Sequence, residues 1–254
     1  MKSEAARWLI CPAEGAVARR VRLYCFPYSG GNAAAFVPWQ REIDPAIELC
    51  AVQLPGRGSR FREPPCTSFA ALIQALGEML QTRQAQSPLP FAFFGHSLGS
   101  LVAFELARHC RRQQLPMPVH LIISGCNAPP LREKSKRLHE LPDAELIEKL
   151  RDYNGTPREI LDNQELMRLL LPVVRADFAL GADYHYAEEI PLAIPLTACS
   201  GRQDLHVQPE DLRGWQKHTH AAYQERWFEG DHFYINDERP QLLESLAEVL
   251  RPVR

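Results

Sequence analysis

The sequence predicts a mostly parallel, doubly wound α/β sheet that is interrupted by one helical insertion. Short runs rich in apolar and β-branched residues are the predicted strands: Val21–Phe26, Ile47–Gln53, Phe91–Phe94, Val119–Ser124, Ile194–Ser200 and Tyr223–Phe228. Helical patterns separate several of these runs, and this alternation indicates parallel strands joined by right-handed crossovers. The apolar density of the runs indicates strands buried on both faces of the sheet.

Two of the separating segments have clear helical periodicity. Phe69, Leu72 and Leu76 recur at helical spacing behind Thr67 and Ser68, either of which is a suitable N-cap residue. A second helix is predicted directly after residue 97 and ends at the polar run HCRRQQ.

The alternation of strands and helices breaks within residues 127–189. Two helical patterns occur there with no strand between them, one starting near Asp143 and the other at Asn163. We therefore predict an α/β core built from residues 1–126 and 190–254, with a helical lid inserted at 127–189.

Length and composition indicate one globular domain. Of the 254 residues, 45% are hydrophobic and 24% are charged, as is usual for a folded soluble domain. A formal net charge of -2 gives no overall attraction to nucleic acid or to an anionic membrane, and no segment has the apolar length of a membrane span. The N-terminus lacks a signal-peptide core, so we expect a cytoplasmic protein, with a monomer as the default state.

The seven cysteines are widely spaced, odd in number and form no CxxC pair. This spacing argues against a zinc site or a disulfide framework. Cys25, Cys50 and Cys199 lie in predicted strands, and we expect them to be small buried side chains in a reducing compartment.

The strongest local motif is GHSLG at residues 95–99, which directly follows a predicted strand and directly precedes a predicted helix. This context resembles the nucleophile elbow of the α/β-hydrolase fold. Ser97 at such a turn has a strained backbone and an exposed hydroxyl, and Gly95 and Gly99 avoid collisions across the turn. The backbone N–H of Leu98 is then placed to bind the oxyanion that forms when Ser97 attacks a carbonyl.

A serine nucleophile requires a histidine base, and nine histidines are available. His232 lies in EGDHF just beyond the last predicted strand. In the α/β-hydrolase fold the triad residues follow the chain order serine, acid, histidine, which places the histidine there. His109, His218 and His220 fall on polar, helix-like segments and are expected to be solvated. His232 is therefore the predicted base.

The acid that orients this histidine has two candidates. Asp204 follows a predicted strand in a loop that begins with glycine, at the strand end where open α/β sheets collect functional residues. Asp231 is adjacent to His232, which makes the required side-chain geometry awkward. Asp204 is favoured, and Asp231 stays the alternative.

A second oxyanion donor is expected from the loop PYSGG after the first predicted strand. Its two glycines allow the backbone to approach a substrate closely. Ser29 is the predicted donor through its backbone N–H, with Tyr28 as the alternative.

The motifs FPYSGG, QLPGRGSR, GHSLG, GRQD and GDHF, in this order and together with Glu63-Pro64, resemble the type II thioesterases of nonribosomal peptide and polyketide synthesis. The resemblance spans nearly the whole chain. It implies a stand-alone α/β-hydrolase enzyme that removes acyl groups from the phosphopantetheine arm of acyl or peptidyl carrier proteins. It also implies that no metal or redox cofactor is needed.

The resemblance assigns roles residue by residue, and they agree with those argued above. Ser97 is the nucleophile, Asp204 the acid and His232 the base, with oxyanion amides on Ser29 and Leu98. Family members often have alanine where this chain has Ser29, a change that keeps the backbone donor.

Two alternatives remain open at the level of sequence. A small-molecule carboxylesterase or lipase would use the same triad. A non-catalytic binding protein of the same fold would usually lack a triad member, and none is missing here.

Two groups of basic residues are candidates for contact with an acidic carrier or its phosphate, although charged runs are often only solvated surface. One group follows the second predicted strand and the other lies at the entrance to the predicted lid: Arg57 and Arg60, then Arg132, Lys134, Lys136 and Arg137.

Overall fold

A seven-stranded sheet forms the centre of the protein, in the order β1-β3-β2-β4-β5-β6-β7. The computed structural model describes residues 7–12, 18–129 and 137–251. Neighbouring strands are parallel except for β1, which pairs with β3 antiparallel. The strands are β1 Leu9–Ile10, β2 Val21–Phe26, β3 Ile47–Val52, β4 Phe91–His96, β5 His120–Ser124, β6 Leu196–Gly201 and β7 Tyr223–Phe228.

This topology confirms the predicted mostly parallel, doubly wound sheet. All the predicted strands are present, with ends that differ by a residue or two. Strand β1 was not predicted, because two residues are too few to show any periodicity.

Helices surround the sheet and also fill the insertion between β5 and β6. They are α1 Phe69–Gln86, α2 Leu98–Arg112, α3 Asp143–Tyr153, α4 Arg158–Leu161, α5 Gln164–Ala182, α6 Pro209–Arg213, α7 Tyr234–Asp237 and α8 Arg239–Leu250. Of the two N-cap candidates for α1, the structure uses Ser68, whose hydroxyl accepts a hydrogen bond from the Ala71 amide at 3.3 Å.

The two faces of the sheet are buried under different helices. On one face, Phe93 belongs to a cluster that includes Leu76 of α1 and Leu101 of α2. On the other face, the next residue, Phe94, belongs to a cluster that includes Leu243 of α8. Because side chains alternate along a strand, β4 is buried on both sides and its carboxyl end is held rigidly at one edge of the sheet.

Helices α3, α4 and α5 form the insertion and have an apolar cluster of their own. Helix α5 begins at Gln164, one residue after the predicted start, and the Asn163 side chain caps it by accepting from two backbone amides. The cluster joins all three helices and the segment before them through Leu138, Leu146, Leu150, Leu161, Met167, Leu171 and Val174. The helices of the insertion are therefore packed against one another.

One cysteine departs from expectation. Cys50 of β3 is buried as predicted, but it is bonded to Cys11 in a disulfide with a Cα–Cα distance of 4.4 Å. The antiparallel pairing of β1 with β3 brings these two positions together, and this pairing was not visible in the sequence. Cys25 and Cys199 are free and buried, as expected.

Two histidines predicted to be solvated are instead buried. His218 places Nε2 at 2.5 Å from the Pro129 carbonyl oxygen, and His109 packs against Gly77 of α1. Burial lowers the pKa of both imidazoles. The polar sequence around them hid this burial, because each ring is covered by a distant segment.

A third buried histidine predicts how stability depends on pH. His120 of β5 is buried, its Nε2 lies 2.8 Å from the Thr197 hydroxyl oxygen, and burial lowers its pKa to about 4. The unfolded chain, with a histidine pKa of about 6.5, binds a proton that the folded protein does not bind. Stability should therefore fall as pH drops from about 6.5 toward about 4.

We expect His120→Gln to reduce this dependence. Between pH 7 and pH 5 the wild-type protein should lose about 2 kcal/mol more unfolding free energy than the variant. Urea denaturation at the two pH values measures the difference, with His220→Gln at an exposed histidine as the matched control. Equal losses in wild type and His120→Gln would contradict the expectation.

Candidate active site

The carboxyl ends of the parallel strands bring the predicted site residues to one edge of the sheet. Ser97 follows β4, Asp204 follows β6, His232 follows β7, and Ser29 lies in the loop after β2. Open α/β sheets place their functional groups at this edge because the chain turns outward there.

Ser97 has the strained backbone expected of an elbow, with φ 54° and ψ -117°. The turn is so tight that a Cβ on Gly95 would lie 2.1 Å from the Gly99 carbonyl oxygen. A Cβ on Gly99 would lie 2.1 Å from the carbonyl oxygen of Phe26. Glycine is required at both positions, and Ser97 is held half-buried at the head of α2.

Asp204 and His232 are joined by a hydrogen bond between Oδ2 and Nδ1 at 2.7 Å. The other carboxylate oxygen of Asp204 accepts from the His206 amide at 2.8 Å. Burial opposes ionisation of Asp204, but these hydrogen bonds and the charge of His232 outweigh it and hold the pKa of Asp204 below its usual value. An ionised Asp204 makes Nδ1 the protonated nitrogen, which leaves Nε2 of His232 free to accept a proton.

Asp231, the alternative acid, is occupied elsewhere. Its Oδ1 accepts from the Phe233 amide at 2.8 Å, and its Oδ2 accepts from the side chain of Asn154 at 3.0 Å. Asn154 is the C-cap residue of α3, so Asp231 connects the histidine turn to the insertion. The geometry favours Asp204 as the partner of His232.

The loop after β2, residues 27–31 and called the β2 loop below, leaves two backbone amides available among the described residues, those of Tyr28 and Ser29. Gly30 donates to Oδ2 of Asp177 at 2.7 Å, and Gly31 donates to the Tyr28 carbonyl oxygen at 2.9 Å. Within the described residues, the Ser29 amide has no such acceptor. The Leu98 amide opens α2, where a helix offers no acceptor of its own.

His96, beside the nucleophile, is held neutral. Its ring centroid lies 5.0 Å from that of His232, and its Nδ1 lies 2.8 Å from the Ser124 hydroxyl oxygen. Burial, with a smaller contribution from the charge of His232, lowers the pKa of His96 well below its usual value. His96 therefore adds no positive charge beside the base.

The C-terminal end of α3 covers the histidine. The ring of Tyr153 stacks on His206 with centroids 4.1 Å apart and meets the His232 ring edge-on at 5.7 Å. Gly155 lies so close to Phe233 that a Cβ there would be 2.1 Å from the ring. Tyr153 and His206 were not predicted as site residues, because nothing in the sequence links two positions so far apart. The one available signal was that His206 lies two residues after the predicted acid, Asp204.

Two of the basic residues predicted to contact a carrier lie inside the protein. Arg57 makes two hydrogen bonds to the buried carboxylate of Asp177, at 2.5 and 2.7 Å. Arg60 binds Glu63 at 2.6 Å and lies 4.0 Å from the centroid of the Trp8 ring. Both guanidinium groups are buried and used internally, so the structure gives these residues structural roles in place of carrier contact.

The second basic group is largely outside the described residues. Arg132, Lys134 and Lys136 fall within 130–136, which the structure does not describe. Arg137 is described and forms an exposed ion pair with Glu140 at 2.7 Å.

Neither a metal centre nor a membrane span is found in the described ranges. No group of three or more His, Cys, Asp or Glu side chains there is arranged to hold a metal ion. Among the same residues, every helix is too short or too polar to cross a bilayer.

A parallel sheet with a serine elbow, followed along the chain by an acid and a histidine at the same edge, defines the α/β-hydrolase class. Residues 21–250 match the family model of the thioesterase domain. The chain therefore belongs to the thioesterase family and is a hydrolase of thioesters.

Individual relatives match nearly the whole chain. The chain is 43% identical over 249 residues to the linear gramicidin dehydrogenase LgrE of Brevibacillus parabrevis, covering 97% of this chain and 93% of the relative. It is 37% identical over 251 residues to the gramicidin S biosynthesis protein GrsT of Aneurinibacillus migulanus, covering 99% and 96%. Its fold is similar to that of BorB, a type II thioesterase from the borrelidin biosynthetic cluster, with a TM-score of 0.84, 32% identity and coverage of 95% and 96%. The resemblance to type II thioesterases is confirmed.

The position of Tyr153 predicts a change in histidine reactivity. Tyr153→Ala should expose His232, which is 5% exposed, because the ring that lies against it is lost. Tyr153→Phe should preserve the cover, because stacking needs only the ring. The rate at which a histidine-directed acylating reagent modifies each peptide, followed by mass spectrometry, measures exposure. Equal rates for the His232 peptide in both variants would show that the ring does not shield this histidine.

Proposed function

We propose that this chain is a stand-alone editing thioesterase that hydrolyses acyl groups from the phosphopantetheine arm of carrier proteins in nonribosomal peptide or polyketide synthesis. The main support for the proposed catalytic triad is the buried hydrogen bond of 2.7 Å between Asp204 and His232, which lies at the same sheet edge as Ser97. The carrier substrate is supported by relatives such as GrsT, a protein of gramicidin S biosynthesis, and BorB, from a biosynthetic cluster.

Acylation begins when His232 takes the proton of the Ser97 hydroxyl at Nε2. The oxygen attacks the thioester carbonyl, and the resulting oxyanion receives hydrogen bonds from the amides of Ser29 and Leu98. Collapse of this intermediate breaks the C–S bond, and His232 delivers its proton to the departing pantetheine thiolate. The product is an acyl-serine and a free carrier thiol.

Deacylation repeats the sequence with water. His232 removes a proton from the water molecule, the hydroxide attacks the acyl-serine, and the same two amides stabilise the second oxyanion. The C–O bond to Ser97 then breaks, the serine oxygen regains its proton from His232, and the carboxylic acid leaves. Throughout both steps Asp204 stays ionised and stabilises the imidazolium of His232.

Two other functions remain distinguishable by experiment. A carboxylesterase would prefer a short oxygen ester over the same acyl group on a carrier. A non-catalytic binding protein would not react with a serine-directed fluorophosphonate.

Substitution of the acid candidates tests the proposed triad. Ser97→Ala and His232→Ala should each lower kcat by roughly four to six orders of magnitude. Asp204→Asn should cost about 10⁴-fold, since nucleophile and base remain but the imidazole is held in the wrong tautomer. Asp231→Asn should keep most of the wild-type kcat, because its carboxylate binds Asn154 and Phe233. Steady-state hydrolysis of a small acyl thioester measures these values, and a larger loss for Asp231→Asn than for Asp204→Asn would transfer the acid role.

Comparison of two substrates tests the carrier proposal. Wild-type kcat/KM should be higher for an acyl-carrier protein than for the same acyl group on a short ester. Lys134→Glu combined with Lys136→Glu should raise KM for the acyl-carrier protein, because like charges would then face an acidic carrier, and should leave the small thioester unaffected. Equal effects on both substrates would remove Lys134 and Lys136 from the docking surface.

A further inference from the structure

A buried ion pair connects three parts of the chain that meet beside the proposed oxyanion site. Arg57 lies after β3, Asp177 lies on α5 of the insertion, and both are almost fully buried at 5% and 1% exposure. Arg57 donates one hydrogen bond to each carboxylate oxygen of Asp177 and a third to the Gly31 carbonyl oxygen at 3.0 Å. We call this pair the loop clamp.

The loop clamp holds the β2 loop at the two residues that follow the proposed donor Ser29. Asp177 accepts from the Gly30 amide at 2.7 Å, and Arg57 binds the carbonyl oxygen of Gly31. Charge-assisted hydrogen bonds of this kind are shorter and stronger than neutral ones. Asp177 therefore holds the Ser29–Gly30 peptide through its N–H, and the Gly31 amide, which donates to the Tyr28 carbonyl oxygen at 2.9 Å, holds the preceding peptide that carries the Ser29 N–H.

The packing around the loop clamp is equally close. Gly30 has φ +74°, and a Cβ there would lie 3.0 Å from the Val174 side chain of α5. A Cβ on Gly56, which also has positive φ, would lie 3.2 Å from the Val173 side chain. Helix α5 thus lies directly against the β2 loop and against the loop after β3 that carries Gly56.

We propose that Arg57 and Asp177 are positioning residues that aim the Ser29 amide at the oxyanion. This rests on the proposed function, in which Ser29 supplies one of the two donors. Loss of one oxyanion donor costs about 10²–10³-fold in kcat, and a misdirected donor should cost part of that, about 10- to 100-fold. KM should change little, because the amide acts mainly on the transition state.

The experiment compares Asp177→Asn and Arg57→Lys with a control at another buried arginine. Arg22, 1% exposed, binds Glu48 at 2.5 Å, and the two residues pair near the amino ends of β2 and β3, away from the site. Glu48, with 20% of its side chain exposed, is half-buried, and Glu48→Gln removes the charge from the partner of a buried arginine without touching the β2 loop. Each variant is assayed with a small acyl thioester, and its active fraction is determined by fluorophosphonate titration of Ser97.

A double variant separates stability from positioning. Replacing a buried ion pair by apolar residues of similar size is often neutral for stability. Arg57→Met combined with Asp177→Leu should therefore have a higher Tm than either Arg57→Met or Asp177→Leu alone. Its kcat should stay about 10- to 100-fold low, because the Gly30 amide is no longer held.

The affinity for a transition-state analogue distinguishes positioning from stability, because residues that only stabilise the fold would not change it. Affinity for a trifluoromethyl ketone, which forms a tetrahedral adduct with the serine, should fall in parallel with kcat in the clamp variants and stay unchanged in Glu48→Gln. Wild-type kcat per active site in Asp177→Asn, Arg57→Lys and the double variant would overturn the positioning role. This assay needs no carrier, so failure of the carrier proposal would show only in the acyl-carrier measurement. Failure of the nucleophile proposal would show in the fluorophosphonate titration of the wild-type protein.

Discussion

The close approach of three backbone segments at the elbow is the constraint on which the rest of the site depends. Gly95, Gly99 and the end of β2 at Phe26 lie so close that no side chain fits between them. This contact requires the positive φ of Ser97, and it seats the amino end of α2 against the start of the β2 loop. This close contact therefore positions the Ser97 nucleophile and the Leu98 amide, the proposed oxyanion donor on the helix. It also positions the start of the β2 loop, which carries the second proposed donor, Ser29.

The insertion adds contacts that the sheet edge cannot make for itself. Asn154 binds Asp231, Tyr153 lies against His232, and Asp177 holds Gly30. These contacts reach both sides of the elbow, one through the turn that carries His232 and the other through the β2 loop. The helices of the insertion share one apolar cluster. The packing of the insertion against the sheet edge therefore affects the geometry of both the His232 turn and the β2 loop.

Features that depend on neighbouring residues could be predicted from the sequence, whereas contacts between residues far apart in the chain could not. The elbow and the cap of α1 at Ser68 are encoded within a few neighbouring residues, and the structure has them where the sequence indicated. The partners of Arg57 and Cys50 lie 120 and 39 positions away in the chain, so neither the ion pair nor the disulfide could be predicted from spacing. Arg57 looked like a surface cation because a loop sequence does not show which helix will cover it. Asp177 carried a signal that went unused, a carboxylate on the apolar stripe of α5, which must find a cation or amides to be buried.

Electrostatics explains why the loop clamp is an ion pair. A carboxylate that holds the Gly30 amide lies one residue from the proposed oxyanion donor, and an uncompensated negative charge there would oppose the oxyanion that catalysis has to stabilise. Arg57 binds both oxygens of Asp177 and so cancels that charge while the hydrogen bond to Gly30 is kept. A neutral acceptor would avoid the repulsion but would give a weaker hold on the loop. The charged pair meets both requirements, so removal of Arg57 alone should be more harmful than neutralisation of Asp177, because it leaves a buried negative charge beside the developing one.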